Sequence, residues 1–132
     1  MQITRSADHD SRSGNSDYFT GTVTLEPVPT PDAPARLNAA RVTFGPGART
    51  FWHTHPLGQT LLVLSGTCLA QTDGGAVMRL DPGDTVFFAP GEKHWHGAGP
   101  DAPMTHLAMQ EAQDGSAADW LEEVTDAQYA GN

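Results

Sequence analysis

The sequence predicts an all-β barrel or sandwich, on two observations. Turn signals recur at Gly45-Pro46-Gly47, Pro56-Leu57-Gly58, Ser65-Gly66, Asp73-Gly74-Gly75, Asp81-Pro82-Gly83 and Ala89-Pro90-Gly91, spaced eight to eleven residues apart. Between them lie short runs rich in Val, Thr, Phe and Leu. Short strands at that spacing close into a sandwich or barrel. Where Pro precedes Gly directly, a type II turn is expected, because Pro presets φ at the second position and Gly accepts positive φ at the third.

Taken along the chain, residues 6–17 are polar and aperiodic and read as a mobile lead-in. Tyr18 to Leu25 is a candidate strand, and Glu26 to Pro34, with four prolines, reads as an extended crossing segment. Strands are expected over 40–44, 50–55, 59–64, 67–72, 76–80, 84–89, 94–97 and 104–110. The tail changes character. Ser116 to Asp119 has capping-box spacing, and Trp120, Leu121 and Val124 then share one helical face, so a short C-terminal helix packed outside the barrel is expected. Thr125-Asp126 offers a cap for a last short turn. The organisation expected is an N-terminal extension and cover strand over 1–38, a barrel core over 39–110, and a C-terminal helix and tail over 111–132.

Composition narrows the partners. The chain has 132 residues, the size of one domain, with 7 basic and 16 acidic side chains and a net charge of −9. Lys93 is the only lysine, so neither a nucleic acid nor an anionic membrane is an expected partner. The first residues lack the apolar stretch of a signal peptide. The single cysteine, Cys68, excludes an intrachain disulfide framework and fits a reducing compartment, so a cytoplasmic location is expected. Cys68 sits in an apolar strand with nothing basic adjacent and reads as a small core residue. Leu61-Leu62-Val63-Leu64 and Val86-Phe87-Phe88 are apolar on both faces, which calls for cover on both sides. A homo-oligomer, homodimer or homotetramer, is therefore expected, with a closed monomer under a thick N-terminal cover as the alternative.

Of the six histidines, five fall between positions 53 and 106. In a strand, residues i and i+2 point to one face, so His53 and His55 project together. Gln59 follows after a short turn and can reach the same place. His94 and His96 repeat the geometry on a later strand, and Met104, His106, Ala108 and Gln110 share a face of another. Isolated histidines are usually hydrogen-bonded core or surface residues. Two His-x-His pairs on neighbouring strands instead point to a divalent first-row metal, with several choices of ligand left open. By strict alternation Thr50 faces away from His53, unless a bulge after Gly47 turns it inward.

The stretch from Gly47 through His53-Thr-His55 and Gln59 to Gly66 resembles the first cupin motif at every spacing, with Gln where that family usually has Glu. Gly83 through Pro90-Gly91 to His94 resembles the second, with Ala89 in place of its first proline. The resemblance implies a cupin fold: a double-stranded β-helix, jelly-roll-like. Nearly the whole chain, including Tyr18 to Val23, Gly45 to Leu61, Pro90 to Ala98, Met104 to Ala108 and Val124 to Tyr129, is similar to the bacterial cupin hydroxynitrile lyases. That similarity implies Mn2+ held by His53, His55, Gln59 and His94, with Fe2+, Zn2+, Ni2+ and Co2+ also compatible. It implies reversible cleavage of a cyanohydrin such as mandelonitrile to an aldehyde and hydrogen cyanide.

For that reaction His106 is the first candidate base, and His96 the second, with orienting a ligand as its alternative. Gln110 is placed to bind a polar substrate atom. Ala40 and Val42 leave room for an aryl or alkyl group, or simply fill core. The resemblance favours Thr50 as a further site residue. Two competing readings are a metal-dependent cupin oxygenase and a non-catalytic cupin that binds a small molecule.

Overall fold

The computed structural model describes residues 1–132. Two antiparallel sheets face each other across the core. The six-stranded sheet runs β1 (Arg12–Ser13), β3 (Val23–Pro27), β4 (Leu37–Phe44), β12 (Met104–Glu111), β7 (Gln59–Ser65) and β10 (Thr85–Phe88). The seven-stranded sheet runs β13 (Asp119–Trp120), β6 (His53–Thr54), β11 (His94–Ala98), β5 (Arg49–Thr50) and β2 (Phe19–Thr20). In it β8 (Cys68–Thr72) pairs with β11 and β9 (Met78–Leu80) pairs with β8. A four-residue helix, α1 (Asp126–Tyr129), closes the chain. No helix is long and apolar enough to cross a membrane.

The turn chemistry sets this rhythm. In three Pro-Gly turns the glycine has positive φ, 74° at Gly47, 92° at Gly83 and 73° at Gly91. Each is closed by a hydrogen bond from the fourth residue's N–H to the first residue's carbonyl: Ala48 to Gly45, Asp84 to Asp81 and Glu92 to Ala89. That is type II geometry. Gly97 serves closeness instead. A Cβ there would lie 2.4 Å from the Ala48 carbonyl oxygen, so only glycine lets β11 approach β5.

Four local expectations are corrected. Residues 116–124 form no helix: Asp119 and Trp120 pair with Thr54 and His53 as β13, a long-range ladder that overrides the weak local cap. The helix begins only after Thr125, whose hydroxyl accepts from the Gln128 N–H while the Gln128 side chain accepts from the Thr125 N–H. The run 50–55 is two short strands, because Phe51 and Trp52 leave the ladder; the Phe51 N–H donates to Tyr18 and the Trp52 N–H to Glu122. Tyr18–Leu25 is likewise broken at Gly21, which has φ of 84°. The lead-in contains a 3-10 turn at Ser6–Asp8, and Arg12–Ser13 joins the six-stranded sheet against β3.

Two apolar clusters hold the layers. The larger fills the barrel, with Phe44, Leu61, Val63, Cys68 and Met104 among its buried members. Burial pushes the Cys68 thiol up to about 12, which suits a core residue and not a nucleophile. The smaller cluster, Trp52, Trp95 and Val124, lies against the opposite face of β11, with Tyr129 packed on it. The outer face of the six-stranded sheet leaves Leu37, Leu64 and Phe87 exposed.

Candidate metal centre

All five expected histidines are buried in the barrel, each at 4% exposure or less. His94 pairs directly with His53 across β11 and β6, so their rings meet with centroids 4.3 Å apart. His55 sits one residue past β6, its ring 5.0 Å from that of His53. His96 lies on the same face of β11 as His94, and His106 on β12 is next to it. The rings of His53, His55, His96 and His106 line a cavity of about 230 Å3 together with Thr50, Gln59 and Gln110. Ala40, Val42 and Ala108 supply small apolar walls.

The break at Phe51–Trp52 decides where Thr50 points. Strict alternation would carry it away from His53, yet Thr50 lines the cavity and is 1% exposed. Because Phe51 and Trp52 leave the ladder, alternation is not carried across them, and the orientation of Thr50 is set by its own strand and not by His53. Its hydroxyl accepts a hydrogen bond from the His96 backbone N–H at 3.1 Å.

The Nδ1 atoms fix the tautomers. Nδ1–H of His53 donates to the Phe51 carbonyl at 2.8 Å, that of His55 to Ala117 at 2.5 Å, and that of His94 to Glu92 at 2.8 Å. A neutral ring with Nδ1 protonated presents Nε2 as a bare lone pair, the form that binds metals. Burial, the largest cause, lowers the pKa of every one of the five. His94 and His106 fall to about 4. The site is therefore uncharged near neutral pH.

The polar atoms on this face are poorly matched to one another. His94 Nε2 stands 3.1 Å from Gln59 Oε1, and with Nδ1 holding the proton both are acceptors. Two lone pairs at that distance suit a shared cation. His55 Nε2, His96 Nε2 and His106 Nδ1 are buried with no partner at all. Buried polar atoms are normally satisfied, and a missing ion is a physical reason for such a cluster. The donor set thus fits a divalent metal. By mutual distance alone the tightest trio is His53, His94 and His96, whose ligand atoms lie within 4.8 Å of one another. His55 is outside that trio, its ring 5.0 Å from that of His53.

His96 and His106 form a pair, with His106 Nε2 and His96 Nδ1 3.0 Å apart. Gln110 is already engaged at both ends. Its Oε1 accepts from Gln59 Nε2 at 3.0 Å and its Nε2 donates to Asn38 Oδ1 at 2.6 Å. Three contributors escaped the sequence reading. Asn38 shares the inward parity of Ala40 and Val42, a signal present but unread. Trp120 stacks on Tyr18 and packs at a tilt against His53, each with ring centroids 4.7 Å apart. The Ala117 carbonyl that orients His55 gives no sequence signal.

The cupin domain family matches residues 40–109. The (R)-mandelonitrile lyase of Granulicella tundricola is 57% identical over 129 residues, covering 98% of either chain. A crystal structure of a cupin-like protein from Thermotoga maritima superposes with a TM-score of 0.83 at 38% identity, covering 89% of each chain. The polyketide cyclase RemF from Streptomyces resistomycificus superposes at 0.70 with 20% identity, covering 98% of this chain and 90% of its own, and shows a shared fold only. With both diagnostic histidine motifs folded into one barrel interior, the chain belongs to the cupin domain family.

Proposed function

We propose that this protein is a metal-dependent hydroxynitrile lyase that reversibly cleaves cyanohydrins such as mandelonitrile to an aldehyde and hydrogen cyanide. The observation that carries the reading is the 57% identity to an (R)-mandelonitrile lyase across 98% of both chains. Fold alone would not, since one fold hosts many reactions. The partnerless nitrogens of the cavity support the metal dependence. We propose Mn2+ as the ion and His53, His55, Gln59 and His94 as the residues that hold it. When bound, it supplies a Lewis acid for the hydroxyl oxygen or the departing cyanide.

The chain's own residues handle the proton. The cyanohydrin hydroxyl gives its proton to a neutral imidazole of the His96–His106 pair as the C–CN bond breaks. The bonding electrons leave with cyanide, which then takes the proton to give hydrogen cyanide. Burial keeps both rings neutral and so able to accept. Their 3.0 Å contact lets the proton be shared between them. Thr50 accepts from the His96 N–H, which leaves its own O–H to donate to a polar substrate atom. Gln110, bonded at both ends, orients the site and does not reach for substrate. The small walls at Ala40, Val42 and Ala108 accommodate the aryl or alkyl group.

The test follows cyanide release and oxygen uptake side by side on Mn2+-loaded protein with mandelonitrile. The reading expects cyanide release above background, no oxygen uptake, and a large loss in His106→Ala. Oxygen consumption without cyanide would replace it with oxygenase chemistry, and binding without turnover would leave a small-molecule-binding cupin. We also propose a homodimer or homotetramer, supported by the exposed apolar side chains of Leu37, Leu64 and Phe87 on one sheet face. Light scattering of wild type and Phe87→Glu tests it, a monomeric wild type being the contrary result.

A further inference from the structure

Glutamine differs from glutamate in having a wrong end. A carboxylate presents the same oxygens whichever way it turns, but an amide presents either a carbonyl oxygen or an NH2 group. At the position where the cupin motif usually carries Glu, this chain has Gln59. An NH2 group turned toward the histidines would donate to His94 Nε2 and repel a cation. Something must choose the carbonyl.

The fold supplies a row of three amides across three adjacent strands. Gln110 on β12 is in register with Gln59 on β7 and with Asn38 on β4. The hydrogen bonds run one way along the row. Gln59 Nε2 donates to Gln110 Oε1 at 3.0 Å, and Gln110 Nε2 donates to Asn38 Oδ1 at 2.6 Å. Each donation fixes the orientation of the amide before it. The outcome is Gln59 Oε1 pointing at His94 Nε2, 3.1 Å away, an acceptor facing an acceptor. Reversing the row would satisfy His94 Nε2 with an N–H and abolish the donor set. The row is buried at its Gln59 end, 5% exposed, and reaches the surface at Asn38.

We propose that Gln110 and Asn38 are positioning residues that select the carbonyl end of Gln59 for the metal, an inference that rests on the metal-centre reading above. Gln110 works by accepting from Gln59, and Asn38 works by accepting from Gln110. A residue that only accepts serves equally well at position 110; one that cannot accept releases Gln59 to turn.

The experiment is Mn2+ titration of chelator-stripped full-length protein, reading free Mn2+ by electron paramagnetic resonance. Gln110→Leu should weaken binding by about 10- to 100-fold, the range for a lost outer partner of a ligand. Gln110→Met is the second variant should leucine unfold the chain. Gln110→Glu, an acceptor only, should bind at least as tightly as wild type. Asn38→Leu should give a smaller loss in the same direction. The decisive arm is the Gln59→Glu background, where no wrong end exists and Gln110→Leu should change affinity by less than about twofold, since coupling appears only between interacting groups. Equal losses in both backgrounds would mean a general packing effect and overturn the proposal, as would unchanged binding in Gln110→Leu. If wild type binds no Mn2+, or His53→Ala binds it as well as wild type does, the metal centre itself is wrong and the inference falls with it.

Discussion

Strand β11 carries two different chemistries on its two faces. Inward, His94 and His96 meet His53, His55 and His106, and three of these rings keep a buried nitrogen with no partner. Outward, Trp95 packs with Trp52 and Val124, and the polar atoms named here all find partners. Trp95 Nε1 donates to Gln71 at 2.8 Å and Trp52 Nε1 to Gln128 at 3.3 Å. Buried Arg49 donates to the Val124 carbonyl and to Asp126, and Tyr129 OH donates to the Ala98 carbonyl. A satisfied face serves stability. A face whose buried ring nitrogens have no protein partner is where a ligand is expected. The C-terminal segment joins the two, because Trp120 pairs with His53 while Val124 is buried outside.

That contrast can be broken at either face. The largest effect is expected inside: His53→Ala should abolish stoichiometric metal by elemental analysis and cut cyanide release by about 10^3-fold or more, the loss of several kcal/mol of Lewis-acid stabilisation. It should leave the metal-free protein folded by circular dichroism. Outside, Trp95→Ala should do the reverse, lowering unfolding free energy by roughly 3–5 kcal/mol in a urea titration while the folded protein still takes up metal. A metal-binding defect in folded Trp95→Ala would blur the division.

Acid separates the faces next. The five buried histidines all have lowered pKa values, so below pH ~6.5 the unfolded chain binds protons that the folded chain refuses. Stability of the metal-free protein is full above that value and is lost as pH falls toward about 4, where His94 and His106 begin to titrate in the fold. Each histidine contributes up to ~1.4 kcal/mol per pH unit, so the thermal midpoint should drop steeply between pH 6.5 and 4.5. A flat profile would deny the burial of neutral imidazoles. The smallest effect belongs to the anchors. Tyr129→Phe should cost about 1 kcal/mol, one hydrogen bond, with metal affinity unchanged in the same titration as above.

The sequence made the barrel legible through its punctuation. Turns at Gly47, Gly83 and Gly91 are local events, and their residues state them. The histidine constellation was legible for the same reason, since alternation within one strand needs no knowledge of the partner strand. What failed depended on distant pairing. Thr50 is inward only by the resemblance and outward by strict alternation, because nothing near it announces that Phe51 and Trp52 will leave the ladder to bond Tyr18 and Glu122. The tail was read as a helix because Trp120 pairs with His53 only once the whole sheet exists. Gln110 lines the cavity as its parity with His106 implies, while its engagement by Gln59 and Asn38 needs the register of three strands at once.

The most direct test of the central claim is metal reconstitution. Protein stripped by a chelator is titrated with Mn2+ while cyanide release from mandelonitrile is followed. The rate should start at background, rise in proportion to added metal, and level off at one Mn2+ per chain. A rate that is substantial in the stripped protein and indifferent to added metal would contradict the account.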